Sequence, residues 1–159
     1  MKKAQLIVRI LLGLMLVIFG LNKFLQFMPM PAMPEAAGEF MGALVKSGYI
    51  MSIVAIIEIA LGVLLLINKY QSLAIVVVFP VLLNAFLFHL FLDIAGIGGA
   101  AIAMAMNIFL FFANKESYKS LTEALIQIGI PGGAGAKAAT MAARALKAKR
   151  AGKYANFKA

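Results

Sequence analysis

Polar and charged residues cluster along this chain, and between the clusters run four apolar stretches, at about 4–27, 49–67, 73–92 and 96–113. Each is close to the roughly 20 residues with which a helix crosses a hydrocarbon layer about 30 Å thick. No alternation of apolar and polar positions competes with this pattern, and in lipid a helix satisfies its own backbone hydrogen bonds. The pattern therefore predicts an all-α fold, an integral membrane four-helix bundle over residues 1–128. Pro29, Pro31 and Pro34 stop the first helix, and Pro34 to Ser47 fits a short surface helix lying over the bundle as a lid. Lys2 and Lys3 ahead of the first stretch also fit a signal peptide, but the stretch outruns the 7 to 15 residues of a signal core and no clear A-x-A site follows.

Composition strengthens this picture. Of the 159 residues 64% are hydrophobic and only 13% charged, about half the charge of an average soluble domain; the mean hydropathy is +0.98. The absence of cysteine excludes disulfides, thiol redox chemistry, iron–sulfur clusters and cysteine-held zinc. A single histidine, His89, excludes a haem held by two histidines.

Charge placement gives an orientation. Lys2, Lys3, Arg9, Lys69, Lys115 and Lys119 fall on one side of the predicted spans, while the other side offers Lys23 and Lys46 against Glu35, Glu39 and Asp93. The positive-inside bias then places both termini in the cytoplasm. Residues 129–159 form a basic C-terminal tail, whose segment from Pro131 carries seven Lys or Arg and no acidic residue. It fits a solvated, topology-reinforcing segment, or one drawn to anionic lipid headgroups at about 1 kcal/mol per basic residue, or to an acidic partner subunit. Ala138 to Lys149 has good helix propensity but only small apolar side chains. Nucleic acid is not an expected partner, because the tail's stacking aromatics are Tyr154 and Phe157 alone.

An ionisable group within a span costs about 2.5 to 3.5 kcal/mol at mid-bilayer and is a functional candidate by default. On helix one, Arg9, Gly13, Leu16, Gly20 and Lys23 share a face, the glycines allowing close approach of another helix. Glu58 shares a face with Gly62 near the middle of the second span. Asn107 lies on a small-residue packing stripe of the fourth. From the rise of about 1.5 Å per residue, Lys23, His89 and Asp93 come to a similar outer level, Arg9 to an inner one and Glu58 between. This predicts a charged axis, with Arg9 and Glu58 as a structural ion pair, Lys23 able to reach down to Glu58, and His89 and Asp93 at the outer mouth. Asn84 lies about 140° from His89 around its helix and is expected to pack, with Pro80, on a neighbouring helix or partner.

The spacing R-x3-G-x6-G-x2-K over Arg9, Gly13, Gly20 and Lys23, the E-x3-G of Glu58 and Gly62, and the A-x3-H of Ala85 and His89 resemble the DoxX family of bacterial membrane proteins. The resemblance runs over about residues 4–125, including NKESYKSL after the last span, and leaves out the basic tail. It implies the four-helix fold, those polar positions and a bacterial inner membrane location. It also implies association with quinol-oxidising and thiosulfate-oxidising complexes.

Three function classes follow. The first, and the favoured one, is an accessory or assembly subunit of a larger membrane complex; its grounds are the small-residue stripes, the tail and the lack of a nucleophile with a base, a phosphate loop or a nucleotide fold. The second is a quinone-interacting oxidoreductase subunit. Lys23, Glu58, His89 and Asp93 are its site residues, since a quinone headgroup needs a donor and a titratable acceptor beside an apolar cleft. A bound lipid is the other candidate ligand, and a metal is not expected from one histidine and scattered carboxylates. The third, a small transporter, is disfavoured by the narrow bundle and the lack of inverted repeats or paired broken helices.

Overall fold

A computed structural model describes residues 2–29, 32–119 and 140–145. Two compact units divide the chain, Met1–Lys115 and Glu116–Ala159. The expected domain boundary at 128 and most of the basic tail lie outside the described residues.

Among its described residues the first unit holds five α-helices: α1 (Lys2–Leu25), α2 (Glu35–Lys46), α3 (Ile50–Leu66), α4 (Gln71–Leu92) and α5 (Ile97–Ala113), the last entered through a 3₁₀ turn at Ile94–Gly96. Among the described residues there is no strand. Helices Lys2–Leu25 and Gln71–Leu92 and the segment Ile94–Ala113 are long and apolar enough to cross a membrane. Helices α2 and α3 pass the same test only as a pair, and they are bent by 87° at the break between them.

Local chemistry sets these ends. Asn22 closes α1 by accepting a hydrogen bond from the Met28 N–H at 2.8 Å. Pro34 precedes the first turn of α2, where Glu35 meets the positive end of the helix dipole, and Lys46 meets the negative end. Gly48 then takes φ 77°, the left-handed conformation that ends a helix at little steric cost. Between α3 and α4 the chain turns through Asn68 (φ 59°) and Tyr70 (φ 50°); the asparagine tolerates this region, which a bulky residue such as Tyr70 adopts less readily.

Helix α1 packs on α3 and α5, and α4 packs on the same two, so the four contact one another in a closed order. They enclose a core that includes Leu12, Leu16, Leu65, Ile75, Val78 and Leu110. The α1/α3 contact is made by glycines. A Cβ on Gly62 would meet the Gly13 carbonyl oxygen and Val17 Cγ2, each at 2.8 Å, and one on Gly20 would meet Ile59 Cγ1 at 2.7 Å. Backbone therefore lies on backbone, the close packing that replaces a hydrophobic driving force between helices in lipid. Of α2 only Ala37 is buried, and the helix touches α3 and α4. In the second unit, Lys119 and Glu116 form an exposed ion pair at 2.9 Å.

Candidate functional site

Three polar constellations occupy the first unit. In the first, Lys23 in the last turn of α1 donates to Glu58 at the middle of α3, with Nζ to Oε2 at 2.5 Å. The carboxylate side chain is 9% exposed and the ammonium side chain 20%. Gly20, one turn before Lys23, makes room for this: its α-carbon faces Ala55 O and Glu58 Cβ closely enough that a side chain would push the helices apart.

The second constellation corrects an expectation. Arg9 is buried but is not within ion-pair distance of Glu58; its guanidinium donates instead to the carbonyl of Leu65, and to that of Leu66 at 3.3 Å. These carbonyls belong to the last turn of α3, where the helix dipole is negative and backbone N–H partners run short; that of Leu65 is shared with the Asn68 N–H at 3.2 Å. The reason is axial offset. Leu65 is seven residues beyond Glu58, about 10 Å along the helix. Arg9 sits level with the end of α3 and caps it from another helix.

In the third constellation His89, one turn before the end of α4, points its Nδ1 at Asp93 Oδ2, 3.1 Å away, and at the Asp93 carbonyl oxygen at 3.3 Å. Asp93 caps α4 and is buried, while the imidazole side chain remains 26% exposed. The Asp93 carbonyl oxygen can only accept, so a neutral ring meets it with the proton on Nδ1, and Nε2 is then the ring's acceptor. Phe88 stacks edge-on to His89 with ring centres 5.0 Å apart, and Phe40 of α2 lies 5.8 Å from Phe88, so the surface helix reaches the neighbourhood of the imidazole. Gly96 lies directly beneath: a Cβ there would collide with Asp93 Oδ2 and would come within 2.7 Å of His89 Nδ1.

The single charged axis expected from the sequence is thus two separate pairs and a cap. Lys23 is committed to Glu58 and makes no hydrogen bond with His89 or Asp93 among the described residues. Asn107 is fully buried and donates from Nδ2 to the Ile75 carbonyl at 3.1 Å, joining α5 to α4, with its Oδ1 unpaired. Of the two contacts expected for Asn84, a neighbouring helix or a partner, the first is not made: the residue is exposed on α4, and the core of that helix lies on the other side, at Ala74, Ile75, Val78 and Leu82.

Sequence reasoning missed two features. One is the role of Gly96 as the floor of the His89–Asp93 pair. The other is a groove of about 380 Å³ between α4 and α5, lined by Val76, Phe79, Asn107, Ile108, Phe111 and Phe112. Neither carries a sequence signal, because both arise where two helices meet. No group of three or more His, Asp or Glu able to hold a metal occurs among the described residues.

The family model DoxX matches residues 4–90, more than half of the chain. That segment contains Arg9, Lys23, Glu58 and His89; Asp93, Gly96 and Asn107 lie beyond it, and the expected reach to residue 125 is not covered. No curated protein and no solved structure matches. With this match and its long apolar helices, the chain belongs to the DoxX family and is a multi-pass membrane protein.

Proposed function

We propose that the chain is an accessory or assembly subunit of a larger respiratory or redox membrane complex, not catalytic by itself. In this reading it is a four-helix bundle in the bacterial inner membrane with both termini cytoplasmic, and its basic tail meets anionic lipid headgroups or a partner subunit. The carrying observation is how the buried charges are used: Lys23 and Glu58 neutralise each other across α1 and α3, and Arg9 is consumed by the end of α3. Groups spent on joining helices fix register and shape. They supply no free acid, base or nucleophile in the interior.

A second reading is supported by the His89–Asp93 pair, whose imidazole keeps an exposed side next to Phe88. An oriented acceptor nitrogen beside aromatic rings suits the headgroup of a quinone, and in this reading the protein is a quinone-interacting oxidoreductase subunit. Gentle purification from the native membrane separates the two. A stoichiometric redox complex from which the His89→Gln variant is still recovered supports the first. An isolated chain carrying extractable quinone, lost in His89→Gln, overturns it in favour of the second.

A further inference from the structure

Around α4, the residues Leu73, Val77, Pro80, Asn84, Leu87 and Phe91 are spaced alternately by four and three. All six are exposed, on the side of α4 away from the core. This is the spacing with which one helix presents a continuous seam to another, repeating every 3.5 residues. The seam carries no charge, in a chain whose net charge is +9, so two copies could meet along it without opposing like charges. Near its centre lies the Asn84 amide, about 12 Å from the end of α4 by the helical rise. It makes no hydrogen bond with any described residue.

An unpaired amide facing hydrocarbon is costly, and a lipid tail offers it nothing. A primary amide is self-complementary, however, having both donor hydrogens and an acceptor oxygen. Two copies inserted in the same direction can be related only by an axis along the membrane normal, which brings every residue of the seam opposite itself at the same depth. Asn84 then faces Asn84 of the second copy and each amide satisfies the other. Pro80, one turn away on the same seam, is exposed and lacks an N–H, so no backbone donor is lost from the contact.

We propose that the outer seam of α4 is the contact surface for a second copy of this chain, registered by a pair of Asn84 amides. The inference rests on α4 alone and does not depend on the function proposed above. Because the chain has no cysteine, a single one can be placed as a reporter. Leu87→Cys leaves Asn84 intact; in native membranes treated with a mild oxidant it should give a covalent product of twice the 17.0 kDa chain mass. Ile56→Cys, exposed on α3, should not. Adding Asn84→Leu to Leu87→Cys should slow cross-linking about three- to tenfold, the usual worth of a polar contact between helices in lipid. Equal cross-linking from both cysteine positions, no product from Leu87→Cys, a product of another mass, or an unchanged rate with Asn84→Leu would each overturn the proposal.

Discussion

Lys23 and Glu58 meet at 2.5 Å although one lies in the last turn of its helix and the other halfway along its own. The lysine therefore reaches inward, opposite to the usual habit of a cation near a helix end, which extends toward the headgroups. Only a carboxylate that would otherwise be stranded among apolar side chains accounts for that direction. Lys23→Met should accordingly destabilise the protein by about 3 kcal/mol, the low end of the range for removing one partner of a buried pair, because the ammonium is not wholly buried. Adding Glu58→Leu should restore most of the loss, as read from thermal unfolding in detergent. Additive losses in the double variant would contradict the pairing.

The long apolar helices were legible in the sequence because uninterrupted apolar runs leave few alternatives: the boundaries of α1, α3, α4 and α5 fall within about two residues of those expected, although α3 is long enough to cross a membrane only together with α2. The partners of the charges were less so. Arg9 and Glu58 share no contact because pairing depends on how far each helix slides along its neighbour, and a shift of two turns exchanges a carboxylate for the carbonyls of Leu65 and Leu66. Asn84 was legible as lying apart from His89, but which face of α4 is covered depends on how α3 and α5 close around it.

Arg9 as a cap makes a local prediction. Arg9→Leu should cost about 1.5 to 3 kcal/mol, the worth of hydrogen bonds from a charged donor. It should also speed amide hydrogen exchange at Asn68 and Lys69, whose N–H groups bond to the carbonyls of Leu65 and Leu64. The amide of Ile57, in the middle of the same helix, should keep its protection. Uniform change along α3 would show that Arg9 does not act at its end.

Glycines that look alike in the sequence should respond differently. Gly62→Ala places a methyl at 2.8 Å from the Gly13 carbonyl oxygen and should cost about 1 to 3 kcal/mol. Gly98→Ala and Gly99→Ala meet nothing within 4 Å and should be neutral or slightly stabilising. Thermal unfolding of the three variants in one detergent tests the ordering, and an equal loss at all three positions contradicts it.

Gly96→Ala should separate His89 from Asp93 while leaving the remainder of the fold intact. Since His89 is the only histidine, its two ring nitrogens give the only imidazole signals in a nitrogen-15 spectrum. The native protein should show the tautomer with hydrogen on Nδ1 when the ring is neutral, and both Gly96→Ala and Asp93→Asn should weaken that preference. An unchanged tautomer in both variants would mean that Asp93 does not orient the ring.

The hydrogen bond from Gln5 to the Ala113 carbonyl, at 2.8 Å, spans 108 positions of sequence. It joins the beginning of the first helix to the end of α5, and it has a meaning in time as well as in space. At a synthesis rate of about 5 to 20 residues per second, α5 is completed some 5 to 20 s after Gln5 is made. The glycine contact between α1 and α3 can form well before that, so the nascent chain passes through a stage with one side of its helical ring open to lipid and to neighbouring proteins. Closure by α5 completes the helical ring, and until then the inner face of α1 stays open to lipid and to other proteins.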